Sequence, residues 1–176
     1  MSPAHDMAGA LCSNLVLFLL PRRNAMKSLL IVYHSQSGAS AQLARAACRG
    51  ARLEPDVAVT VKRAWDAGIR DLVQADAVLL SMAENSGALS GAMKDFLDRT
   101  FYPGIDKGLV LPYALLVSAG NDGRGAVRQA QRILAGLPFS QATEPLILRG
   151  EVTPEHLRAA QEMGQGFAAG VAMGIF

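Results

Sequence analysis

From Met26 onward, short continuous apolar runs alternate with segments whose apolar residues recur at helical spacing. The apolar runs are SLLIVYH (28–34), VAVTVK (57–62), ADAVLLSM (75–82), LPYALLVSA (111–119) and EPLILRG (144–150). A run of this length without strict alternation is typical of a strand buried on both faces. VAVTVK alternates more, so we expect it nearer an edge. Five strands separated by helices predict right-handed crossovers and a parallel sheet that is covered on both sides.

The intervening segments predict five helices. The first begins near Ala39, and a short one spans about residues 67–74. The third carries Leu89, Met93 and Phe96 on one face, with Lys94 and Asp98 paired on the wet side. GRGAVRQAQRILAGL (123–137) predicts the fourth helix, and Thr153 followed by Pro154 is a start signal for the last.

Composition excludes several classes of protein. The chain has 176 residues, 51% of them hydrophobic, which suits one compact domain. Its 17 basic and 15 acidic residues are scattered. The sequence has no basic face interleaved with aromatics, so we do not expect nucleic-acid binding. The two cysteines, Cys12 and Cys48, have no metal or redox spacing, so a reduced cytoplasmic protein is the default expectation.

Residues 1–25 are treated separately from the predicted domain, 26–176. The run LCSNLVLFLL (11–20) is too short to span a bilayer, so we expect no stable membrane insertion. No Lys or Arg precedes it, as a secretory signal would require. We favour a non-native or mis-assigned leader, because MKSLLIVY reads as a natural start. The alternative is an extension that packs on the domain or touches a membrane surface.

Three loops follow the first, third and fourth predicted strands: SQSGAS, AENSGALS and AGNDGRG. Ligands of open parallel sheets bind at the carboxyl ends of the strands, so these loops should share one rim. In the first loop, hydroxyls, a glycine and a helix N-terminus together suit a phosphate. The same residues are also consistent with a simple helix cap, and the loop alone leaves both interpretations open.

The segment SQSGAS resembles the phosphate loop of flavodoxins, Thr/Ser-x-Thr/Ser-Gly-x-Thr/Ser. GAMKDFLDRTFYP (91–103) resembles the corresponding helix of the NAD(P)H-dependent FMN reductase and quinone reductase branch of that superfamily. SAGNDGRGAV (118–127) is similar to the loop that lies along the flavin in the same relatives. The resemblance implies a flavodoxin-like three-layer α/β sandwich, with helices on both faces of a five-stranded parallel sheet of order 2-1-3-4-5.

The resemblance also implies a set of FMN contacts. The residues expected to hold the phosphate are Ser35, Gln36, Ser37, Gly38, Ala39 and Ser40. Those expected to border the ring are Ala83, Glu84, Asn85, Ser86 and Gly87. Those expected to close its other side are Ser118, Ala119, Gly120, Asn121, Asp122 and Gly123. No catalytic side chain and no metal ligand is expected, because most of the chemistry would belong to the flavin.

Some residues near these loops are open to two interpretations. The second loop has Met82-Ala83 and Ser86 where relatives often carry Thr-Pro and an aromatic, so Tyr102 or a partner subunit would have to supply ring contact. Glu84 either orients Asn85 or a hydroxyl, or is an ordinary solvated loop acid. For His34 we expect a structural hydrogen bond rather than catalysis.

Three functions are compatible with this sequence. The resemblance favours an FMN-dependent oxidoreductase that passes electrons from NAD(P)H to a quinone or similar small acceptor. An electron carrier of flavodoxin type is less favoured, because such carriers are strongly acidic and this chain has a net charge of +2. The third is a flavodoxin-like binding module that has lost flavin. Relatives of the reductase branch tend to form dimers or tetramers, so a homodimer is among the expected assemblies.

Overall fold

The computed structural model describes residues 26–176. The prediction for residues 1–25 lies outside this range. Within the described residues, no helix combines the length and the apolar character needed to cross a bilayer.

Strands and helices alternate along the described chain. The strands are β1 (Lys27–Tyr33), β2 (Val57–Arg63), β3 (Ala77–Asn85), β4 (Ala88–Leu89), β5 (Pro112–Ala119), β6 (Ser140–Gln141) and β7 (Leu146–Arg149). The helices are α1 (Ala39–Ala51), α2 (Ile69–Val73), α3 (Gly91–Asp106), α4 (Arg124–Leu134) and α5 (Pro154–Met173). The predicted cap at Thr153 is present, since its Oγ1 accepts the backbone N–H of His156 at 3.3 Å.

The sheet confirms the predicted flavodoxin-like topology. Its order is β2-β1-β3-β5, with all neighbours parallel, and β6 and β7 both pair with β5 at the far edge. The two short strands together occupy the fifth position. β2 lies at the opposite edge, as its alternating pattern predicted.

Apolar side chains fill both faces of the sheet. On one face Leu30 and Val32 of β1 join a core that includes Met93 and Phe96 of α3 and residues of α4. On the other, Leu29 and Ile31 join a core with α1 and α5. Successive residues of β1 are therefore buried on opposite sides, which is why its sequence is continuously apolar.

Two glycines bring α1 and α5 into close contact. A Cβ built on Gly164 would lie 2.0 Å from the carbonyl oxygen of Ala47, and one on Gly50 would lie 1.9 Å from that of Gln161. Both clashes are with helix backbone, which cannot rotate away. The two helices can therefore lie this close together only because both glycines lack a side chain.

We expect Gly164→Ala to lower the free energy of unfolding by about 3 kcal/mol, because the added methyl must push two helices apart. Urea denaturation of the full chain measures this. Gly166→Ala is the matched control on the same helix, since a Cβ there meets nothing within 4 Å. We expect the control to be neutral or slightly stabilising. Equal midpoints for the two variants would contradict the packing described above.

Two elements are longer than the sequence predicted. β3 continues to Asn85 because Ser86 and Gly87, with φ of 51° and 76°, make a tight turn into β4. The second predicted loop is therefore largely a β-hairpin. α3 continues through Pro103 to Asp106, where Lys107 donates its N–H to the carbonyl of Pro103 at 3.2 Å. Both changes affect where the candidate site residues lie.

Candidate functional site

The loop between β1 and α1 exposes the start of a helix. Ser35 Oγ accepts the backbone N–H of Gly38 at 3.0 Å, which folds the loop back on itself. Gly38 is the N-cap residue with φ of 97°, and no side chain caps the helix. The first N–H groups of α1 therefore lack a side-chain acceptor, and the loop is formed from small residues. This is the local structure that binds anions at helix N-termini.

The hydroxyl of Ser40 is buried in a network that joins three elements. Its Oγ lies 2.7 Å from Ser118 Oγ at the end of β5, and Ser81 of β3 donates to the carbonyl of Ser40 at 3.0 Å. These three serines hold the start of α1 against the two central strands. Ser40 and Ser118 are thus brought together as predicted, but their hydroxyls bond to each other.

A cavity of about 110 Å³ lies beside the first loop, lined by residues of this loop and of β3. Its lining residues are His34, Ser35, Gln36, Ser37, Ser40, Ala83 and Asn85. The sheet topology thus brings the first two predicted groups of ligand-binding residues together at one edge. The cavity has room for a small anionic group such as a phosphate, whereas a fused ring system would have to lie across the rim.

His34 contradicts the expected structural hydrogen bond. It is only 4% exposed, and among the described residues neither Nδ1 nor Nε2 has a hydrogen-bond partner. Its ring packs edge-on against Trp65, with the centroids 5.0 Å apart. A buried imidazole without partners is costly, so a polar group of a ligand in the adjoining cavity would relieve a real deficit.

Burial lowers the pKa of His34 below its ordinary value. The unfolded chain therefore binds a proton at this residue more readily than the folded chain, and stability falls as the pH drops through about 6.5. We expect His34→Phe, which keeps the ring contact with Trp65, to lose less stability than wild type between pH 7.5 and 5.5. Urea titrations at the two pH values measure the difference. Identical losses for both proteins would assign the acid sensitivity to other groups.

The β3–β4 hairpin places three of the predicted ring-bordering residues at the rim. Asn85, Ser86 and Gly87 are exposed there, while Ala83 and Glu84 are partly buried. The Asn85 side-chain amide donates to Gln36 Oε1 at 3.1 Å, which links the hairpin to the first loop. The hairpin also meets α4, since Leu89 donates its N–H to Gln129 Oε1 at 2.7 Å.

Glu84 caps the start of α4. One carboxylate oxygen accepts the N–H of Gly123 at 2.9 Å, and the other accepts the N–H of Ala126 at 3.1 Å. Neither interpretation from the sequence predicted this contact. No sequence signal links Glu84 to this Gly-rich helix start, because Gly123 lies 39 residues further along the chain. Glu84 therefore joins the second and third site loops.

The third loop runs from the end of β5 to α4. Ser118 and Ala119 are buried, whereas Gly120 and Asn121 are exposed at the rim. Asp122 pairs with Arg124 through its side chain and accepts Arg149 Nε at its carbonyl oxygen, 3.0 Å away. The loop thus presents backbone and amide groups at the edge of the sheet, while its charged side chains pair with each other.

Tyr102 does not reach this rim. It lies within α3, eleven residues after Gly91, and a helix rises about 1.5 Å per residue. The ring is therefore roughly 16 Å along the helix from the hairpin, on a crossover that runs away from the carboxyl ends of the strands. It is 73% exposed and packs edge-on against Phe101. The prediction that Tyr102 of the same chain contacts the flavin ring is therefore wrong.

The first loop fits an FMN phosphate on three observations. The N-terminus of α1 has no side-chain cap, the adjoining cavity is small and has serine and amide residues in its lining, and His34 has two unpartnered nitrogens at its wall. Of the hairpin's exposed residues, Asn85 lines this cavity, and the third loop is joined to the first through the contact of Ser118 with Ser40. A flavin ring would lie there without displacing a large side chain.

A family model described as NADPH-dependent FMN reductase matches residues 33–147. Solved structures similar to this chain include a WrbA-like flavodoxin from Agrobacterium tumefaciens (TM-score 0.71, 16% identity, 84% of this chain and 98% of the other). Flavodoxin 1 from Bacillus cereus is also similar (TM-score 0.70, 19% identity, 81% and 98%). Rubredoxin oxygen:oxidoreductase from Desulfovibrio gigas is similar over 38% of its own chain and 85% of this one (TM-score 0.72, 15% identity). At these identities the structures establish the fold.

Proposed function

The chain belongs to the NADPH-dependent FMN reductase family, and we propose that it passes electrons from NAD(P)H through bound FMN to a quinone or similar small acceptor. The observation that carries the proposal is the cavity beside the first loop. There an uncapped helix start and a buried His34 without partners both call for a ligand with hydrogen-bonding oxygens. A helix cap alone would leave both deficits in place.

The protein's part in this function is to bind and orient the cofactor. Bound FMN would supply the transfer of hydride and electrons. Backbone N–H groups at the start of α1 and the hydroxyl of Ser37 would hold the phosphate. Asn85 and Asn121 would offer amide donors near the ring, where negative charge develops on reduction. Both asparagines are exposed, which leaves their side chains accessible to a ligand.

Glu84 would keep the two ring-side loops at a constant separation. Its two hydrogen bonds to the α4 backbone tie the hairpin to the third loop. Because the carboxylate is engaged on both oxygens, we propose that it positions these loops rather than transferring protons. No general acid or base is required of the other side chains at the rim.

The setting of this activity is also part of the proposal. We propose a cytoplasmic protein, which is supported by the small number of cysteines. Assembly into a homodimer is proposed because relatives of this branch tend to place the flavin near an interface. A partner subunit would then supply the aromatic contact that Tyr102 does not.

The test is a visible spectrum of the full chain with FMN, recorded anaerobically before and after addition of NADPH. We expect bound flavin whose visible absorbance falls promptly, while free FMN at the same NADPH concentration, the control, changes far more slowly. Quinones would then be screened as acceptors. Flavin that bleaches only with dithionite would contradict the use of NAD(P)H, and no binding at micromolar FMN would contradict the whole proposal.

A further inference from the structure

A second, larger depression lies outside the predicted FMN site, between α1 and the edge strand β2. Its volume is about 560 Å³, within the range of ligand sites, and its wall carries five cationic side chains. These are Arg45, Arg49 and Arg52 of α1 and Lys62 and Arg63 of β2. We call this depression the arginine trough.

The arginine trough and the cavity beside the phosphate loop lie on either side of a third, smaller cavity. A smaller cavity of about 190 Å³ shares Tyr33, Arg45 and Arg63 with the trough. The same smaller cavity shares His34, Ser35 and Gln36 with the cavity beside the loop. A ligand held by its phosphate in the loop would therefore have to extend across this smaller cavity to reach the trough.

The charges of the trough are poorly compensated. Arg45, Arg49 and Arg52 stand at i, i+4 and i+7 on one helix face, an arrangement that repels. Within residues 26–176 no carboxylate lies within 4.0 Å of any arginine of the trough, and Lys62 alone has an ion pair, with Asp71 at 2.6 Å. Asp66 is the one acidic residue in the lining. Such a cluster is costly to the free protein and suits an anionic ligand.

Two aromatic residues line the smaller cavity beside the trough, and one of them also lines the trough. Trp65 is 62% exposed, although its edge packs against His34, and Tyr33 is half-buried beside Arg63. Guanidinium groups bind phosphates with paired hydrogen bonds, and exposed aromatic faces stack on bases. The arginines would therefore suit the phosphates of an adenosine phosphate, and the exposed indole would suit its adenine base.

We propose that the arginine trough binds the adenosine phosphate portion of a dinucleotide. This portion has two sources. The first is FAD, whose flavin phosphate would lie in the loop and whose AMP half would extend into the trough. The second is NADPH, whose 2′-phospho-ADP half would lie in the trough. The role of the trough in electron transfer rests on the proposed function, but binding of adenosine phosphates by the trough does not require flavin.

The test compares wild type with Arg45→Gln/Arg49→Gln by calorimetric titration of the full chain at constant salt. The matched control is Arg128→Gln/Arg132→Gln, which removes two exposed arginines at the same spacing from α4. We expect 2′,5′-ADP to bind wild type and the control alike, and at least tenfold more weakly to the trough variant. FMN affinity should stay within about threefold in all three proteins, since neither arginine lines the loop cavity. Thermal melts check that the variants are folded.

The two sources give different results. If FAD binds wild type more tightly than FMN and the trough variant loses that advantage, the trough holds the AMP half of FAD. If FAD and FMN bind equally and 2′,5′-ADP binds FMN-loaded protein, it holds the NADPH half. The proposal is overturned if inorganic pyrophosphate binds as well as 2′,5′-ADP, if no adenosine phosphate binds, or if the trough variant matches wild type. Binding of 2′,5′-ADP without any FMN binding would contradict the proposed function alone.

Discussion

Ser37→Asp is expected to weaken FMN binding by at least about a hundredfold, while making the fold slightly more stable than wild type. Ser37 is exposed in the first loop, directly before the N-cap of α1. A carboxylate there would lie beside the FMN phosphate, and like charges about 4 Å apart near a protein surface repel by roughly 4 kcal/mol. The same carboxylate would stabilise the helix start by about 0.5 kcal/mol. Affinity and stability are thus expected to change in opposite directions.

Fluorescence titration with FMN measures the loss, and riboflavin is the first control because it lacks the phosphate. Riboflavin should bind wild type and Ser37→Asp equally. Ser140→Asp is the second control, since it adds the same charge at an exposed position of β6 on the far edge of the sheet. If Ser37→Asp bound FMN as tightly as wild type, the assignment of the phosphate to the first loop would be contradicted.

Gly125→Ala is expected to disrupt both the stability of the protein and the ring side of the site. A Cβ on Gly125 would lie 2.0 Å from the carbonyl oxygen of Gly87 and 2.9 Å from Glu84 Oε2. The methyl must therefore displace the turn of the hairpin, break the Glu84 cap on α4, or do both. We expect a loss of about 3 kcal/mol in the free energy of unfolding and of at least tenfold in FMN affinity.

Urea denaturation and FMN titration measure the two effects of Gly125→Ala. Gly91→Ala is the matched control, because it also adds a methyl to a helix start near the same rim, and a Cβ there meets nothing within 4 Å. The control should resemble wild type in both measurements. Wild-type FMN affinity in Gly125→Ala would mean that the hairpin does not border the flavin.

The sheet could be predicted from the sequence because burial leaves a direct pattern in single strands. β1 is apolar at successive positions because Leu29 and Leu30 enter opposite cores. β2 alternates because it is an edge strand with partly exposed faces. The glycine-rich loops were also readable, since the positive φ of Gly38 and Gly123 is a conformation that other residues adopt at a cost.

The contacts that join the loops could not be predicted from these patterns. Glu84 caps a helix that begins forty residues later, and His34 packs against Trp65 from a different loop. Each contact depends on how neighbouring strands align, which single-strand periodicity does not specify. The sequence predicts an earlier end for β3, because Ser86 and Gly87 suit an open loop as well as the hairpin turn that they form.

The arginine trough could likewise be predicted only in part from the sequence. The spacing of Arg45, Arg49 and Arg52 on one helix face is visible in the sequence. Their position opposite Lys62 and Arg63 follows only from the parallel pairing of β1 with β2, in which Tyr33 is the partner of Arg63. Scattered basic residues in a near-neutral chain can therefore still converge in one depression.

The most direct test of the central claim is a titration of ¹⁵N-labelled full chain with FMN, followed by backbone amide resonances. We predict that the amides of residues 35–41 shift first and most, and that those of 84–87 and 119–123 shift with the same affinity. Inorganic phosphate should move only the first group. Binding without shifts in residues 35–41, or the absence of any shift at millimolar FMN, would contradict the assignment of this rim as a flavin site.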